Sequence, residues 1–470
     1  VETFYLQNFG CRATQADGAA LERRMLERGM GRARAAEEAG VVVLNSCTVT
    51  ESADRDVRAA IRRIHRENPE CRILVTGCYA QRAPQELAAL PGVQWVVGNS
   101  HKHQVAELVA PAAAAFVPVA NLTPVPRQPF NNSTNRQIFV GDIFAHTELL
   151  AAPVFAAETA SEKTRPNLKV QDGCDNRCSF CIIPAVRGQS RSLGRAEALR
   201  EVRALVAAGY REVVLSGINV GRWGRDFPKP ERFEELVRAI LVETTLEKLR
   251  LSSVEPMDWT EKLIELVAGE PRLAKHAHLP LQSGSDRILR AMHRKYRPWH
   301  YRERVEKIRR AMPLAALGAD VMVGFPGETD ALFEESRAFI ASLPFTYLHV
   351  FTYSSRPGTA SAEMPGQVPV EVARERNRIL RELAAEKNRE FRESLVGRSL
   401  EAITLDRGDG ESTAALTDNY LKLRLAGRYG ANQWVKAQVT GVSAEGLIGR
   451  PVDLNIPSEA RKPYPPEDSY

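Results

Sequence analysis

At 470 residues the chain exceeds what one ordinary core serves, so two to four domains are expected. An apolar content of 44% and a charged content of 26% are ordinary for a soluble globular protein, and a net charge of 64 − 58 = +6 permits a nucleic-acid partner without requiring one. Seven cysteines, an odd number in so long a chain, argue against a disulfide framework and for metal or catalytic use in a reducing compartment.

The opening "VETFYLQNFG" lacks a basic segment followed by an apolar one. The most apolar window, residues 108 to 120, is too short to span a bilayer and holds two prolines. The expectation is a cytoplasmic protein with no membrane span. In the first hundred residues "TFYLQN", "GVVVLN" and "RILVTG" read as strands. Between them, "AALERRMLERGM" places Leu21, Met25 and Leu26 on a helical face, and "SADRDVRAAIRRIHREN" spaces Val57, Ile61 and Ile64 at i, i+4 and i+7. This alternation predicts a parallel α/β sheet domain over 1–115. Residues 116–163, rich in Pro and Asn, read as a connector.

Alternation resumes over 164–393 with "NLKVQ", "EVVLSG", "LRLSS", "HAHLPL", "ADVMVGF" and "YLHVFTY", six strand candidates that predict a partial (β/α)6 barrel rather than a closed eight-fold one. A long charged helix leads to short alternating strands over 394–457, which predict a small antiparallel β-barrel, followed by a tail at 458–470. The whole is an α/β multidomain protein.

Cys11, Cys47 and Cys78 each lie just past the carboxyl end of a predicted strand. In an open parallel sheet those ends share one edge, where ligands bind. One such cysteine is most simply a small buried apolar residue; three in consecutive units point to a shared metal site. Cys71 precedes its strand, at the opposite edge, and reads as structural. Cys174, Cys178 and Cys181 follow another strand with C-x3-C-x2-C spacing. A zinc site borrowing a distant fourth ligand is one reading. A cubane iron–sulfur cluster with one iron open to a small molecule suits three thiolates on one loop better.

That spacing, with Phe180 before the last cysteine at the end of the first barrel strand, resembles the radical S-adenosylmethionine (SAM) signature. The extended run "GCDNRCSFCIIPAVRGQSRS", with "NSCTVTESADRDVR" and "VTGCYAQR" upstream, resembles the methylthiotransferases over almost the whole chain. The resemblance implies an auxiliary 4Fe–4S cluster on Cys11, Cys47 and Cys78, a radical-SAM 4Fe–4S cluster on Cys174, Cys178 and Cys181, and a C-terminal TRAM module that grips RNA or substrate. It further implies SAM used twice per turnover: one molecule cleaved reductively to a 5′-deoxyadenosyl radical, the other methylating the inserted sulfur. Where the family commonly has asparagine and glutamate after the first cysteine, this chain has Thr14 and Ala19, which alters the surroundings of Cys11 but not the three ligands.

On the same footing Phe180, Ser216, Gly217, Asn219, Glu255, Gln282, Gly324 and Gly327 are candidate SAM contacts, each weighed against an ordinary turn or strand-end role. Arg187 is a candidate partner for a carboxylate or phosphate. Residues 287 to 310 carry ten Lys or Arg against two acidic residues, interleaved with Tyr296, Trp299 and Tyr301. From this run Arg290, Arg294, Lys295, Arg297 and Trp299 are candidate RNA contacts, set against a plain solvated face. The face of Arg55, Arg58, Arg62, Arg63 and Arg66 is a second candidate.

Motif flavour in "NSCTVT" and "GCYAQ" favours the branch acting on N6-threonylcarbamoyladenosine at position 37 of tRNA, ahead of the N6-isopentenyladenosine branch and then the branch acting on a ribosomal-protein aspartate. The implied partners are a tRNA anticodon stem-loop, an electron donor such as flavodoxin and a sulfur source, with the enzyme a monomer. A competing reading is a two-cluster electron-transfer protein that binds RNA without modifying it. It calls for a fourth ligand near each trio, and no nearby cysteine supplies one.

Overall fold

The computed structural model describes residues 2–110, 136–145, 165–408 and 410–453; most of the expected connector, and all of the tail, lie outside them. The chain forms two compact units. The first comprises the described residues of Val1–Pro153 with Gly173–Asp175 and Ile182–Gln189, and the second those of Val154–Asp172, Asn176–Cys181 and Ser190–Tyr470.

The first unit is built on β1 (Thr3–Asn8), β2 (Gly31–Arg32), β3 (Val41–Ser46), β4 (Arg72–Gly77), β5 (Val93–Gly98) and β6 (Gln137–Phe139), in the order β2-β1-β3-β4-β5-β6. Every pairing is parallel. Such a sheet is apolar on both faces because helices cover both, and all six residues of β3 are buried. Val42 and Leu44 face a core with Val57, Ile61 and Ile64 of the helix Glu51–Glu67, while Val41 and Val43 face the opposite core with Leu21 and Met25 of the helix Arg12–Glu27. Leu26, expected on that buried face, is exposed. At about 100° per residue it lies roughly 140° from Leu21 around the helix, off the stripe.

In the second unit, six parallel strands follow one another: β7 (Asn167–Asp172), β9 (Glu212–Gly217), β10 (Lys248–Leu251), β11 (His276–His278), β12 (Ala316–Val323) and β13 (Tyr347–Thr352). A parallel bridge between Leu249 and Leu273 joins the β10 side to the β11 side. The two-residue strand β8 (Arg191–Ser192) runs antiparallel on the free edge of β7, so the barrel stays open. Each of the six strand candidates of the sequence falls on one of these strands. No helix of the described residues is long and apolar enough to cross a membrane.

After the helix Val370–Glu393 come β14 (Ser399–Gly408), β15 (Ser412–Thr417), β16 (Lys422–Ala426), β17 (Trp434–Val442) and β18 (Leu447–Asp453), closed in the order β14-β15-β16-β18-β17. Four pairings are antiparallel, but β16 and β18 are parallel. Five strands cannot alternate direction around a closed ring, so one such pairing is unavoidable. This barrel meets the starting ends of the larger barrel's strands. Lys248 Nζ, buried, lies 3.1 Å from Glu401 and over the Trp434 ring, Arg250 donates to the Asp418 carbonyl at 3.0 Å, and Asn419 donates to the Leu314 carbonyl at 2.9 Å.

Candidate active site

In the first unit β1, β3 and β4 are neighbours whose register pairs Asn8 with Asn45 and Ser46 with Gly77, so their carboxyl ends are level. Cys47 follows β3 directly, Cys78 follows β4 directly, and Cys11 comes three residues after β1. Gly10 adopts φ +104, and a Cβ there would stand 2.5 Å from Cys47 Cβ and 2.8 Å from its Sγ. A bare backbone therefore lets the Cys11 turn lie against Cys47. Gly77 (φ +103) plays the same part between the strand ends, since a Cβ there would meet the Ser46 carbonyl.

Cys47 and Cys78 are buried and Cys11 is exposed. Burial first, then the neighbouring Cys78 and, more weakly, Cys11 push the Cys47 thiol up to about 12, against a backbone N–H from Val49 and the Arg187 charge. Cys47 is thus close enough to both Cys78 and Cys11 to sense them electrostatically. Asn99 Nδ2 donates to Cys78 Sγ at 3.5 Å and to the Val186 carbonyl at 2.7 Å. Thr14, at the family's asparagine position, has its hydroxyl 3.6 Å from Cys11 Sγ, within hydrogen-bond reach of sulfur.

Among the described residues, no three Cys, His, Asp or Glu side chains converge as ligands of one ion. A cubane takes each thiolate on a different iron, which sets its sulfurs further apart than single-ion ligands. The donor set fits such a group: three thiols at one sheet edge, with cations nearby. Arg187 was a candidate partner for a carboxylate; that the carboxylate is Asp17, shared with Lys102, was not foreseen. Asp17 is buried in the helix after Cys11, 2.9 Å from Lys102 Nζ and 3.0 Å from Arg187 Nη2. Lys102 also reaches Asn45 Oδ1 at 3.3 Å, and Asn45 donates to the Thr14 carbonyl at 2.7 Å. The Arg187 charge also reaches Cys47, where it weakly opposes the rise caused by burial and the neighbouring thiols.

Gly10→Ala is therefore expected to disturb the first trio alone. Reconstituted protein should lose about half its iron and keep reductive SAM cleavage, as read by iron assay and 5′-deoxyadenosine release.

The C-x3-C-x2-C loop leaves the carboxyl end of β7. Cys174 belongs to the first unit, where its N–H donates to the Gly188 carbonyl at 3.0 Å. Cys178 and Cys181 belong to the second, where the Cys181 N–H donates to the Cys178 carbonyl at 3.1 Å. Phe180 packs with Ile288, Met292 and Phe325. The Gln171 side chain accepts from the Asn219 N–H at 2.7 Å, and a Cβ on Gly217 would stand 2.8 Å from that same oxygen. Ser216 Oγ lies 3.5 Å from the Leu168 carbonyl. Glu255, after β10, is ion-paired with Arg294. Gln282 holds a left-handed φ of 67°, a strained conformation for a residue with a Cβ, and pairs with β12 through the Asp320 carbonyl and the Met322 N–H.

Of the two glycines of "GFPGE", Gly324 has a packing role, since a Cβ there would stand 2.6 Å from Ala373 Cβ, while Gly327 holds a left-handed φ of 81° and donates its N–H to the Gly366 carbonyl at 2.8 Å. Ser216, Gly217, Asn219, Glu255 and Gln282 all fall at or just beyond the carboxyl ends of barrel strands, the end from which the cysteine loop departs.

The basic run divides. Trp299 is 55% exposed and Lys295 is exposed, while Arg290 and Arg297 reach Asp286 at 2.9 and 3.3 Å. Arg294, Tyr296 and Tyr301 are buried, so the surface reading is corrected for these three. The helix Pro298–Ala311 turns Tyr301, Val305 and Ile308 inward at i, i+4 and i+7, and the hydroxyls of Tyr296 and Tyr301 donate to the Leu281 and Leu279 carbonyls. On the other basic face Arg55, Arg62, Arg63 and Arg66 are exposed, and Arg58 is tied to Tyr79 and Glu86.

The match to known proteins follows the same division. Residues 3–98 match the model of Uncharacterized protein family UPF0004, and residues 168–340 that of the Radical SAM superfamily. Threonylcarbamoyladenosine tRNA methylthiotransferase MtaB of Aquifex aeolicus is 35% identical over 90% of this chain and 96% of its own length. The protein of that name from Bacillus subtilis is 35% identical over 90% of each. The tRNA-2-methylthio-N(6)-dimethylallyladenosine synthase of Thermobifida fusca is also 35% identical, over 96% of this chain and 85% of its own length. Among solved structures, the radical SAM methyltransferase TsrM of Kitasatospora setae superposes with a TM-score of 0.51 at 15% identity, covering 77% of this chain and 75% of that one, a likeness of fold. A radical-SAM enzyme relies on a 4Fe–4S cluster and SAM, and these findings make the protein a SAM-dependent iron–sulfur transferase. The chain belongs to the radical-SAM methylthiotransferases, of the MtaB type.

Proposed function

We propose that the enzyme adds a methylthio group to carbon 2 of N6-threonylcarbamoyladenosine at position 37 of tRNA. The observation that carries the two-cluster part of this reading is the first unit's thiol trio at the level ends of three adjacent strands. The substrate part leans on the MtaB-named relatives, which match over at least 90% of each chain in all three cases. Cys174, Cys178 and Cys181 hold the radical-SAM cluster, and Cys11, Cys47 and Cys78 hold a second cluster. When bound, the first supplies the electron for SAM cleavage and the second the sulfur. The chain's own residues then have defined tasks. Asp17, shared with Lys102, anchors the Arg187 guanidinium, whose charge reaches Cys47. Ser216, Asn219, Glu255 and Gln282 present polar groups at the strand ends, where the methionine and ribose of SAM need partners. Exposed Lys295 and Trp299 offer a phosphate contact and a stacking ring to the anticodon stem-loop.

Nucleosides of tRNA from a strain lacking the protein test the substrate. The methylthiolated threonylcarbamoyladenosine should vanish, with its unmethylthiolated precursor rising in its place. Loss of the methylthiolated isopentenyladenosine instead would select the second reading, which the equally similar Thermobifida fusca relative supports. An unchanged nucleoside profile would overturn both.

A further inference from the structure

The helix Asp286–Ala291 ends in a turn that grips the cysteine loop of the second unit at three consecutive residues. His293 adopts a left-handed φ of 57°, uncommon for a non-glycine residue, and the Arg294 N–H returns to the Leu289 carbonyl at 2.9 Å. The strain brings the turn back onto the loop. His293 Nδ1 donates to the Arg177 carbonyl at 3.3 Å, and the Arg294 Nη1 donates to Cys178 Sγ at 3.2 Å. The Ser179 N–H and hydroxyl donate to the Met292 and Ala291 carbonyls at 3.2 and 2.8 Å.

Arg294 has 7% exposure, an unusual place for a guanidinium, and each of its three nitrogens has a partner. Beside Cys178, Nη2 is ion-paired with Glu255 and Nε donates to the Tyr296 hydroxyl at 3.2 Å. The guanidinium also lies over the Tyr296 ring, 4.9 Å from its centre. An arginine keeps its charge in such a place and its planar fork fixes direction, so the bond to sulfur is charge-assisted.

We infer that Arg294 is a positioning residue for the radical-SAM cluster, fixing the Cys178 sulfur and raising the cluster's reduction potential, with Glu255 as the counter-charge that limits the rise. The inference rests on the proposed role of Cys178 as a ligand. Reduction adds one electron, taken from a low-potential one-electron donor that is oxidised in turn. A cation bonded to a ligand sulfur stabilises the more negative, reduced cluster, and hydrogen bonds to cluster sulfurs tune potential in this sense.

The test uses full-length protein reconstituted anaerobically with iron and sulfide, in a Cys47→Ala, Cys78→Ala background so that one cluster is read. Midpoint potentials come from redox titrations followed by electron paramagnetic resonance, without SAM. At the poise where the parent is half reduced, R294Q should show an about tenfold lower reduced-to-oxidised ratio, about 59 mV for one electron. E255Q should shift the opposite way, and R294K should fall between R294Q and the parent. A loaded R294Q cluster with the parent's potential overturns the inference, as does an E255Q potential that fails to rise. If R294Q does not load, E255Q and R294K decide, because both keep a cation beside Cys178. Iron content reports separately on the underlying reading: a Cys178→Ala protein that still holds the cluster and cleaves SAM would sink the ligand role itself.

Discussion

Cys178→Ala is expected to abolish reductive SAM cleavage, whereas Cys47→Ala should retain measurable 5′-deoxyadenosine release yet form no methylthiolated product. The contrast follows from where the two thiols sit. Cys178 lies in the loop after the first barrel strand, held by Arg294 and the Ser179 contacts. Cys47 lies at the end of β3, beside Gly10 and within electrostatic reach of Cys78 and Cys11. The loss of product should exceed about 100-fold, more than the removal of an outer partner of a metal ligand costs. Quantifying 5′-deoxyadenosine and S-adenosylhomocysteine together separates the outcomes. Equal loss of both in Cys47→Ala would mean that the first trio serves the barrel cluster or the fold, not sulfur delivery.

Asp17→Asn should be the most destabilising single change in the first unit that touches no cysteine. It leaves Lys102 and Arg187 buried around an amide, and breaking a buried ion pair from one side costs about 3–5 kcal/mol. The unit's melting temperature should fall by on the order of 10 °C. Lys102→Met in the same chain should restore part of the loss, since it removes one stranded charge. The pH dependence has a definite sign. Burial already pulls the Lys102 amine below its ordinary value, opposed by Asp17 and Cys78. Without Asp17 the folded-state value falls further, so between it and the free-lysine value the unfolded chain binds more protons. The variant should then regain stability as pH rises through that window. A melt insensitive to Asp17→Asn would show that water reaches the cluster of charges.

The strands, and the cysteines placed just past their carboxyl ends, were legible because their signals are local. Short apolar runs ending in Asn-Phe-Gly-Cys, Asn-Ser-Cys and Thr-Gly-Cys declare both the strand and the thiol beyond it. The Asp17–Lys102–Arg187 cluster was not legible, because Lys102 and Arg187 lie 85 and 170 residues from Asp17 and nothing in the "QADGAA" or "HKHQ" surroundings marks them as partners. Arg294 misled for a different reason. Composition counts charges along a run but does not say which side of the turn each faces, and the left-handed His293 reverses the direction that helix periodicity implies. Likewise, alternating strand patterns predict an antiparallel barrel, while the parallel β16–β18 pair follows only from closure of an odd ring.

Lys248 and Arg250 begin β10, yet much of their company comes from the C-terminal barrel. Cutting the chain after the helix Val370–Glu393 would strip two buried cations of carboxylate, carbonyl and ring at once. A shortened enzyme that lost tRNA would therefore be ambiguous between a missing grip and a loosened catalytic half. Substituting exposed basic residues on the intact small barrel, such as Lys422 or Arg424, is the cleaner way to ask what that barrel holds.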